Sequence, residues 1–314
     1  MAFGLDALPK AAFSLLAGSN SLKKLASRYG MRRPQSFARR FIAGESVAEA
    51  IAAAHELERQ GLMVTLDLLG ESVGSTEEAW RATRDYLQTV AEIERSGIGR
   101  NISLKLTQLG LDVDKATCVD NLRRILDAAG KAGFFVRIDM ENSPYTDLTL
   151  DILEIVWNIG HKNVGTVVQS YLKRSQTDIE RLNGLGVRVR LVKGAYREPG
   201  EVAYQQKTDV DAAYLNLMRL LLRAGTYPAI ATHDPVMIDA TKKFADEQRL
   251  PRTHVEFQML YGIRRDLQAA LSREGYPFRV YVPFGKEWFP YFMRRLGERP
   301  ANVGFVVRSL FREK

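Results

Sequence analysis

A chain of 314 residues with 46% hydrophobic content is long enough to bury one barrel-sized domain or two ordinary ones. Its single cysteine, Cys118, excludes an internal disulfide and favours a reducing compartment. No apolar run approaches the ~20 residues that span a bilayer, and no secretory leader is evident, so a cytoplasmic protein is expected, free or held at a membrane surface. The net charge of +8 is concentrated in residues 1–42, which hold eight Lys/Arg against the one acid Asp6; the remainder is nearly neutral, which argues against a nucleic-acid groove across the fold.

Along that N-terminal arm, Phe13, Leu15, Leu16, Leu22, Leu25, Phe37, Phe41 and Ile42 are interleaved with the cations. The pattern suits amphipathic helices, either packed on the body of the protein or laid on an anionic membrane. Residues 1–60 are therefore read as a helical arm and 61–314 as the main domain. From Gly61 onward short apolar runs alternate with longer amphipathic ones. Strands are predicted at Met63–Leu68, Asn101–Leu106, Phe134–Met140, Gly165–Gln169, Val187–Val192, Ala229–Thr232, Val255–Leu260 and Arg279–Val282. Helices are predicted after the first seven, at Glu77–Ser96, Ala116–Ala132, Leu148–Gly160, Thr177–Leu185, Val210–Ala224, Pro235–Gln248 and Arg264–Arg273. Such units suit an α/β fold of the (β/α)8 barrel type, although a doubly wound sheet alternates in the same way. Ser75 with Glu78, and Ser175 with Asp178, are expected helix N-caps.

In a barrel the reacting groups come from the C-terminal ends of strands and the loops after them. Here those ends are polar. The first strand leads through Asp67 to Gly70 and Glu71; Lys105 stands on the second; Asp139, Met140 and Glu141 close the third; Gln169 ends the fourth. The fifth carries Arg190 and runs into Lys193-Gly194-Ala195-Tyr196; the sixth ends Thr232-His233-Asp234; Glu256 and Gln258 lie on the seventh and Tyr281 on the eighth. A charge inside a parallel strand is costly to desolvate unless it is paired. Lys105, Asp139 and Arg190 therefore need partners: internal pairs such as Lys105 with Asp139 or Arg190 with Glu256, or a ligand. So many polar strand ends together favour a large polar cofactor over the barrel mouth. The four histidines show no HxH or HExxH spacing, so no metal is expected. Gly184-Leu185-Gly186 lacks the third glycine of a dinucleotide fingerprint and precedes a strand, where it should follow one.

Near the C-terminus, Tyr291, Arg294, Arg295 and Glu298 recur at helical spacing and share one face. Two adjacent guanidiniums can grip a planar carboxylate; a solvated basic helix is the plainer explanation for the same pair.

The ordered set Leu69-Gly70-Glu71, Lys105, Arg137-Ile138-Asp139-Met140-Glu141, Val167-Val168-Gln169, Arg190-Leu191-Val192-Lys193-Gly194-Ala195-Tyr196, Ala231-Thr232-His233, Glu256-Phe257-Gln258-Met259-Leu260 and Tyr281 through Arg294-Arg295-Leu296 resembles the proline dehydrogenase family in its short, monofunctional bacterial form. The resemblance implies a distorted (β/α)8 barrel with extra N-terminal helices. It also implies a flavin, normally FAD with FMN as the alternative, and oxidation of L-proline to Δ1-pyrroline-5-carboxylate by hydride transfer to flavin N5. Carried over residue by residue, Lys105, Arg294 and Arg295 correspond to the trio that pairs with the substrate carboxylate. Tyr196, Tyr281, Tyr291 and Leu260 correspond to the walls around the pyrrolidine ring, and Glu71 to an acid that pairs with Arg294 and closes the site. Asp139, Met140, Gln169, Arg190, Val192, Lys193, Gly194, Ala195, Thr232, His233, Gln258 and Glu298 correspond to flavin contacts, with Asp139 and Arg190 in catalytic positions.

The residues agree with that chemistry. The substrate amine must be neutral to expel hydride, and neighbouring cations lower its pKa; Lys193 is the kind of point charge that meets a pyrophosphate. In this family the electrons usually pass to a membrane quinone, which offers a use for the basic arm. Two other readings stand beside this one: a barrel of the methylenetetrahydrofolate reductase kind, and a non-catalytic basic protein bound to membrane or nucleic acid. Assembly into a homo-oligomer is compatible with the sequence.

Overall fold

The computed structural model describes Met31 and residues 36–298. Parallel strands close into a barrel in sequence order: β1 (Met63–Leu68), β2 (Asn101–Leu104), β3 (Phe135–Ile138), β4 (Val164–Gln169), β5 (Arg188–Val192), β6 (Ala229–Ala231), β7 (Glu256–Leu260) and β8 (Phe278–Phe284). Helix α1 (Val47–Arg59) precedes β1. The crossovers carry α2 (Thr76–Ser96), α3 (Lys115–Lys131), α4 (Thr146–Asn158), α5 (Ser175–Leu185), α6 (Lys207–Ala224), α7 (Pro235–Glu247) and α8 (Arg265–Arg273), and α9 (Trp288–Glu298) follows β8. Every predicted strand and helix is found, with ends shifted by at most three residues. Closure decides between the two α/β alternatives, because β1 pairs with β8 from Met63↔Arg279 through Leu68↔Phe284 and leaves no open edge.

Alternation along the strands explains how the core is divided. Val64, Leu66, Ile102, Leu104, Val136, Ile138, Leu191, Ile230, Phe257, Val280 and Val282 are buried in one apolar cluster with the surrounding helices. Their neighbours point the other way, into the barrel: Thr65 lies 3.2 Å from Ser103 on the adjacent strand, and Arg190 on β5 reaches Ser103, Asp139 and Gln258. A period-two pattern ordinarily marks a sheet with one wet face; here the polar face lines the inside of the barrel.

The ends of the helices are set by local chemistry. Ser46 caps α1 in a reciprocal box with Glu49. Ser75 accepts the Glu78 N–H at 3.2 Å as expected, while the Glu78 carboxylate accepts from Gly74 N, one residue before the box position. The expected Ser175 cap is not formed. Ser175 is already the first residue of α5, its hydroxyl donates to the Gln169 carbonyl at 2.6 Å, and Asp178 takes the forked guanidinium of Arg174 at 2.8 and 3.0 Å. The short turn after β4 brings the hydroxyl back over a buried strand end, whose carbonyl has the stronger need for a donor.

The closing seam of the barrel is covered from an unexpected side. Helix α1, which precedes the barrel, lies against β1 and β8. Helix α9 packs elsewhere: Trp288, Phe289, Tyr291, Phe292 and Met293 form a separate buried cluster with Met31, Ala38, Phe41, Ile42 and Leu69. Phe41 and Ile42 are thus body-packing residues of the arm. Phe13, Leu15, Leu16, Leu22 and Leu25 lie outside the described residues. Among the described residues no helix is long and apolar enough to cross a membrane.

Candidate active site

The C-terminal ends of the strands and helix α9 enclose a cavity of about 720 Å³, within the ~300–1,000 Å³ usual for ligand sites. Of the residues singled out from the sequence, Lys105, Asp139, Met140, Gln169, Arg190, Val192, Lys193, Gly194, Ala195, Tyr196, Thr232, His233, Gln258, Leu260, Tyr281, Tyr291, Arg294 and Arg295 line it. Glu71 lies beside it, accepting from Arg294 Nη1 at 2.8 Å. Glu298 ends α9, and its side chain lies outside the described residues. The cavity also takes in Asp234, already named at the end of the sixth strand, Val167, Ala231 and Met259 from the ordered motifs, and Lys207, Pro235, Ile263 and Arg264, none of which was given a role in the site from the sequence. Lys207 and Pro235 open helices that follow barrel strands, and that position is the signal by which they could have been found.

The buried charges pair differently from the sequence expectation. Arg190 donates to Asp139 Oδ1 at 2.7 Å, to Gln258 Oε1 at 2.6 Å and to Ser103 Oγ at 3.2 Å. Tyr281 donates to the second Asp139 oxygen at 2.7 Å. Asp139 is therefore filled by Arg190 and Tyr281, and Lys105 faces Asp67 on the neighbouring strand β1 at 3.9 Å. Glu256 is taken by Arg279 on adjacent β8 through two bonds of 2.9 Å, while Arg190 meets Gln258, two residues further along the same strand β7.

These partners set the protonation states. Burial pulls the Lys105 ammonium down, but Asp67 and then Asp139 overcome it and hold its pKa well above the ordinary lysine value. Burial pushes the Glu71 carboxyl up, and the charge and hydrogen bond of Arg294 more than reverse that, leaving it below its ordinary value. Burial raises the phenols of Tyr196, to about 12, and of Tyr281, which the Asp139 carboxylate raises further. Both rings are neutral walls at physiological pH. Lys193 donates to Asp211 and to Asp234, the latter at 2.7 Å, so its ammonium is shared with two carboxylates and does not stand alone.

The donor set fits a flavin. The cavity lining combines hydrogen-bonding groups (Gln169, Arg190, Thr232, Gln258) with apolar ones (Met140, Val167, Val192, Ala231), as a flat heterocycle with polar edges requires. Gly194 is held at φ +117, and a Cβ there would stand 2.4 Å from the Tyr171 ring, so only glycine lets the chain turn along this wall. The same cavity brings Lys105, Arg294 and Arg295 together with Tyr196, Tyr281 and Tyr291, which suits a small carboxylate.

Comparison with known proteins bears on the same residues. The proline dehydrogenase family model matches residues 50–308. Proline dehydrogenase 2 of Bacillus subtilis strain 168 is 43% identical over 298 residues, covering 95% of this chain and 97% of that protein. The proline dehydrogenase of Deinococcus radiodurans is 40% identical over 312 residues, covering 98% of this chain and 99% of that one. Among solved structures, proline utilization A from Bdellovibrio bacteriovorus inactivated by N-propargylglycine superposes with a TM-score of 0.78 at 28% identity, covering 90% of this chain and 33% of that longer chain. These matches decide against the folate-reductase and non-catalytic readings. A closed eight-stranded barrel, a mouth lined by the expected residues and near full-length likeness to single-activity relatives together show that the chain belongs to the proline dehydrogenase family.

Proposed function

We propose that this chain oxidises L-proline to Δ1-pyrroline-5-carboxylate with a bound flavin, FAD in preference to FMN, and passes the electrons to a quinone. The observation that carries the substrate is the convergence of Lys105, Arg294 and Arg295 with Tyr196, Tyr281, Tyr291 and Leu260 in one cavity. The cations bind and orient the carboxylate. The tyrosine rings and Leu260 enclose the pyrrolidine ring and exclude water. The same positive field disfavours the protonated amine, so the ring nitrogen enters the reaction with its electron pair available. When bound, the flavin supplies the acceptor for the hydride. Arg190, fixed by Asp139, Gln258 and Ser103, offers preorganised positive charge on the cofactor wall. The Glu71–Arg294 pair at 2.8 Å ties α9 to the segment after β1 and closes the site.

Anaerobic titration tests this directly. The purified protein is expected to be yellow, to release FAD on denaturation, and to bleach on addition of L-proline. A colourless protein, or a yellow one unchanged by L-proline, overturns the reading.

The surplus of basic residues in 1–42 supports contact with anionic lipid, worth about 1 kcal/mol per cation near the surface. Because Met31, Phe41 and Ile42 are buried on the body, a truncation ending at residue 30 is the suitable variant. It removes Lys10, Lys23, Lys24 and Arg28; weakened co-sedimentation with anionic vesicles is expected, and unchanged sedimentation removes these four cations from the proposal.

A further inference from the structure

One buried acid, behind the cavity wall beside Lys105, has no place in the roles given above. Asp67, at the C-terminal end of β1, is 0% exposed. Neither of its carboxylate oxygens meets hydrogen-bond geometry with a donor among the described residues; the Tyr281 hydroxyl, which donates to Asp139 at 2.7 Å, lies near enough to favour the Asp67 charge without being given to it. Buried polar atoms are nearly always bonded, so an acid with both oxygens unengaged calls for an explanation. Its nearest opposite charge is Lys105 Nζ at 3.9 Å, close enough for strong attraction through a low-dielectric interior and too far for a hydrogen bond.

We propose that Asp67 is a positioning residue of the substrate site: a buried counter-charge that keeps the Lys105 ammonium protonated while leaving its N–H donors to the substrate carboxylate. The inference rests on the reading of Lys105 as a carboxylate ligand. It separates Lys105 from three other cations of the cavity, each of which donates to a carboxylate: Arg190 to Asp139, Lys193 to Asp211 and Asp234, Arg294 to Glu71. Lys105 alone of these four pairs with its acid outside hydrogen-bond range.

The other charges around Lys105 stand behind Asp67, with Asp139 second to it, and each of the other carboxylates is engaged by a donor of its own. They come from Glu71 after β1, Asp139 and Glu141 at the end of β3, Tyr196 after β5, and the cations Arg190 and Arg294. Asp139 is filled by Arg190 and Tyr281, Glu71 by Arg294, and Glu141 accepts from the backbone N–H and hydroxyl of Thr107 at 3.2 and 2.7 Å. Tyr196 is neutral over the working range because burial raises its phenol to about 12. Burial also raises the Asp67 carboxyl, against the pull of Lys105. The Asp67 charge is therefore fullest on the alkaline side, where a buried lysine without a counter-ion gives up its proton.

The test uses Asp67→Asn, which keeps the shape and removes the charge, and cyclopentanecarboxylate, a ring carboxylate without the oxidisable nitrogen, with binding measured by calorimetry between about pH 7 and pH 10. Wild-type affinity is expected to stay flat. In Asp67→Asn it is expected to match wild type near pH 7 and to fall about tenfold or more by pH 10, as Lys105 deprotonates. Lys105→Met is expected to bind weakly at every pH. A flat, wild-type profile in Asp67→Asn overturns the proposal, and so does weakening by the same factor at every pH, which marks a packing role only. A second measurement needs neither ligand nor variant. In selectively 13C-labelled wild-type protein the Lys105 side-chain carbon shift is expected not to titrate below about pH 11, and titration below that sinks the counter-charge role. If cyclopentanecarboxylate fails to bind even the wild type while this shift stays fixed, the substrate reading has failed and the Asp67–Lys105 pairing has not.

Discussion

Arg294 and Arg295 illustrate how little a residue type says without its position. By residue type alone they are a basic pair on a helix, and it is the family resemblance that makes them a carboxylate clamp; in the fold both line the cavity, and Arg295 is only 8% exposed. Replacing either with lysine keeps the charge and removes the planar fork. Arg294→Lys and Arg295→Lys are each expected to raise KM for proline about 10–100-fold, the range of one charge-assisted hydrogen bond, with a smaller change in kcat. Wild-type KM in both variants, by steady-state kinetics, counts against the carboxylate clamp. The neighbouring Glu71 gives a pH signature. Its carboxyl is held below the ordinary value of 4.5 in the folded state, so its contribution to stability is fully present above that value and is lost as pH falls through the lower folded one. The urea midpoint of wild type is therefore expected to exceed that of Glu71→Gln at pH 6, with the gap closing below about pH 4. A gap that persists or widens in acid contradicts the pairing.

Among the elements, α9 differs from the other helices of the barrel. It does not cover the outside of the sheet; it lies at the mouth, held by an aromatic cluster in which the rings of Trp288 and Phe292 meet edge-on at 5.9 Å and Phe292 touches Phe41 at 6.3 Å. This cluster is separate from the main core, so its loosening need not disturb the barrel. Phe292→Ala removes a large buried ring, a change worth about 3–5 kcal/mol in well-packed interiors. The expected result is faster amide exchange over residues 288–298 and a raised KM for proline, with the strands β1–β8 exchanging as in wild type. Uniformly faster exchange across all strands would show that α9 is not an independently held element.

Over the whole molecule, the barrel interior is unusual in its charge. Barrels of this type are commonly filled with branched apolar side chains; this one carries Arg279–Glu256–Gln258–Arg190–Asp139–Tyr281 as a bonded chain running up its axis to the cavity. Such a chain holds Arg190 in one orientation, and its members depend on each other. Glu256→Gln leaves the buried Arg279 guanidinium without its counter-ion, and removing one partner of a buried pair costs about 3–5 kcal/mol. A urea midpoint lowered accordingly, with unchanged slope, is the expected outcome; a shift below about 1 kcal/mol places the pair in an effectively wet environment.

Much of this could be read from the chain alone. The apolar alternation of Met63–Leu68 or Arg188–Val192 and the length of the segments between them were enough to locate the strands and helices, because strand periodicity and helix length are local properties. The polar residues at strand ends were enough to locate the site, since every strand of such a barrel delivers its C-terminal end to the same face. Partnership was a different matter. Lys105 with Asp67, Arg190 with Asp139 and Glu256 with Arg279 depend on which inward side chains stand level once the sheet is rolled up, and the linear order of residues does not contain that. The same holds for α1 on the β8–β1 seam and α9 over the mouth. Both helices are amphipathic, and only closure of the barrel, which joins the first strand to the last, decides which of them covers the outside and which is left to roof the site.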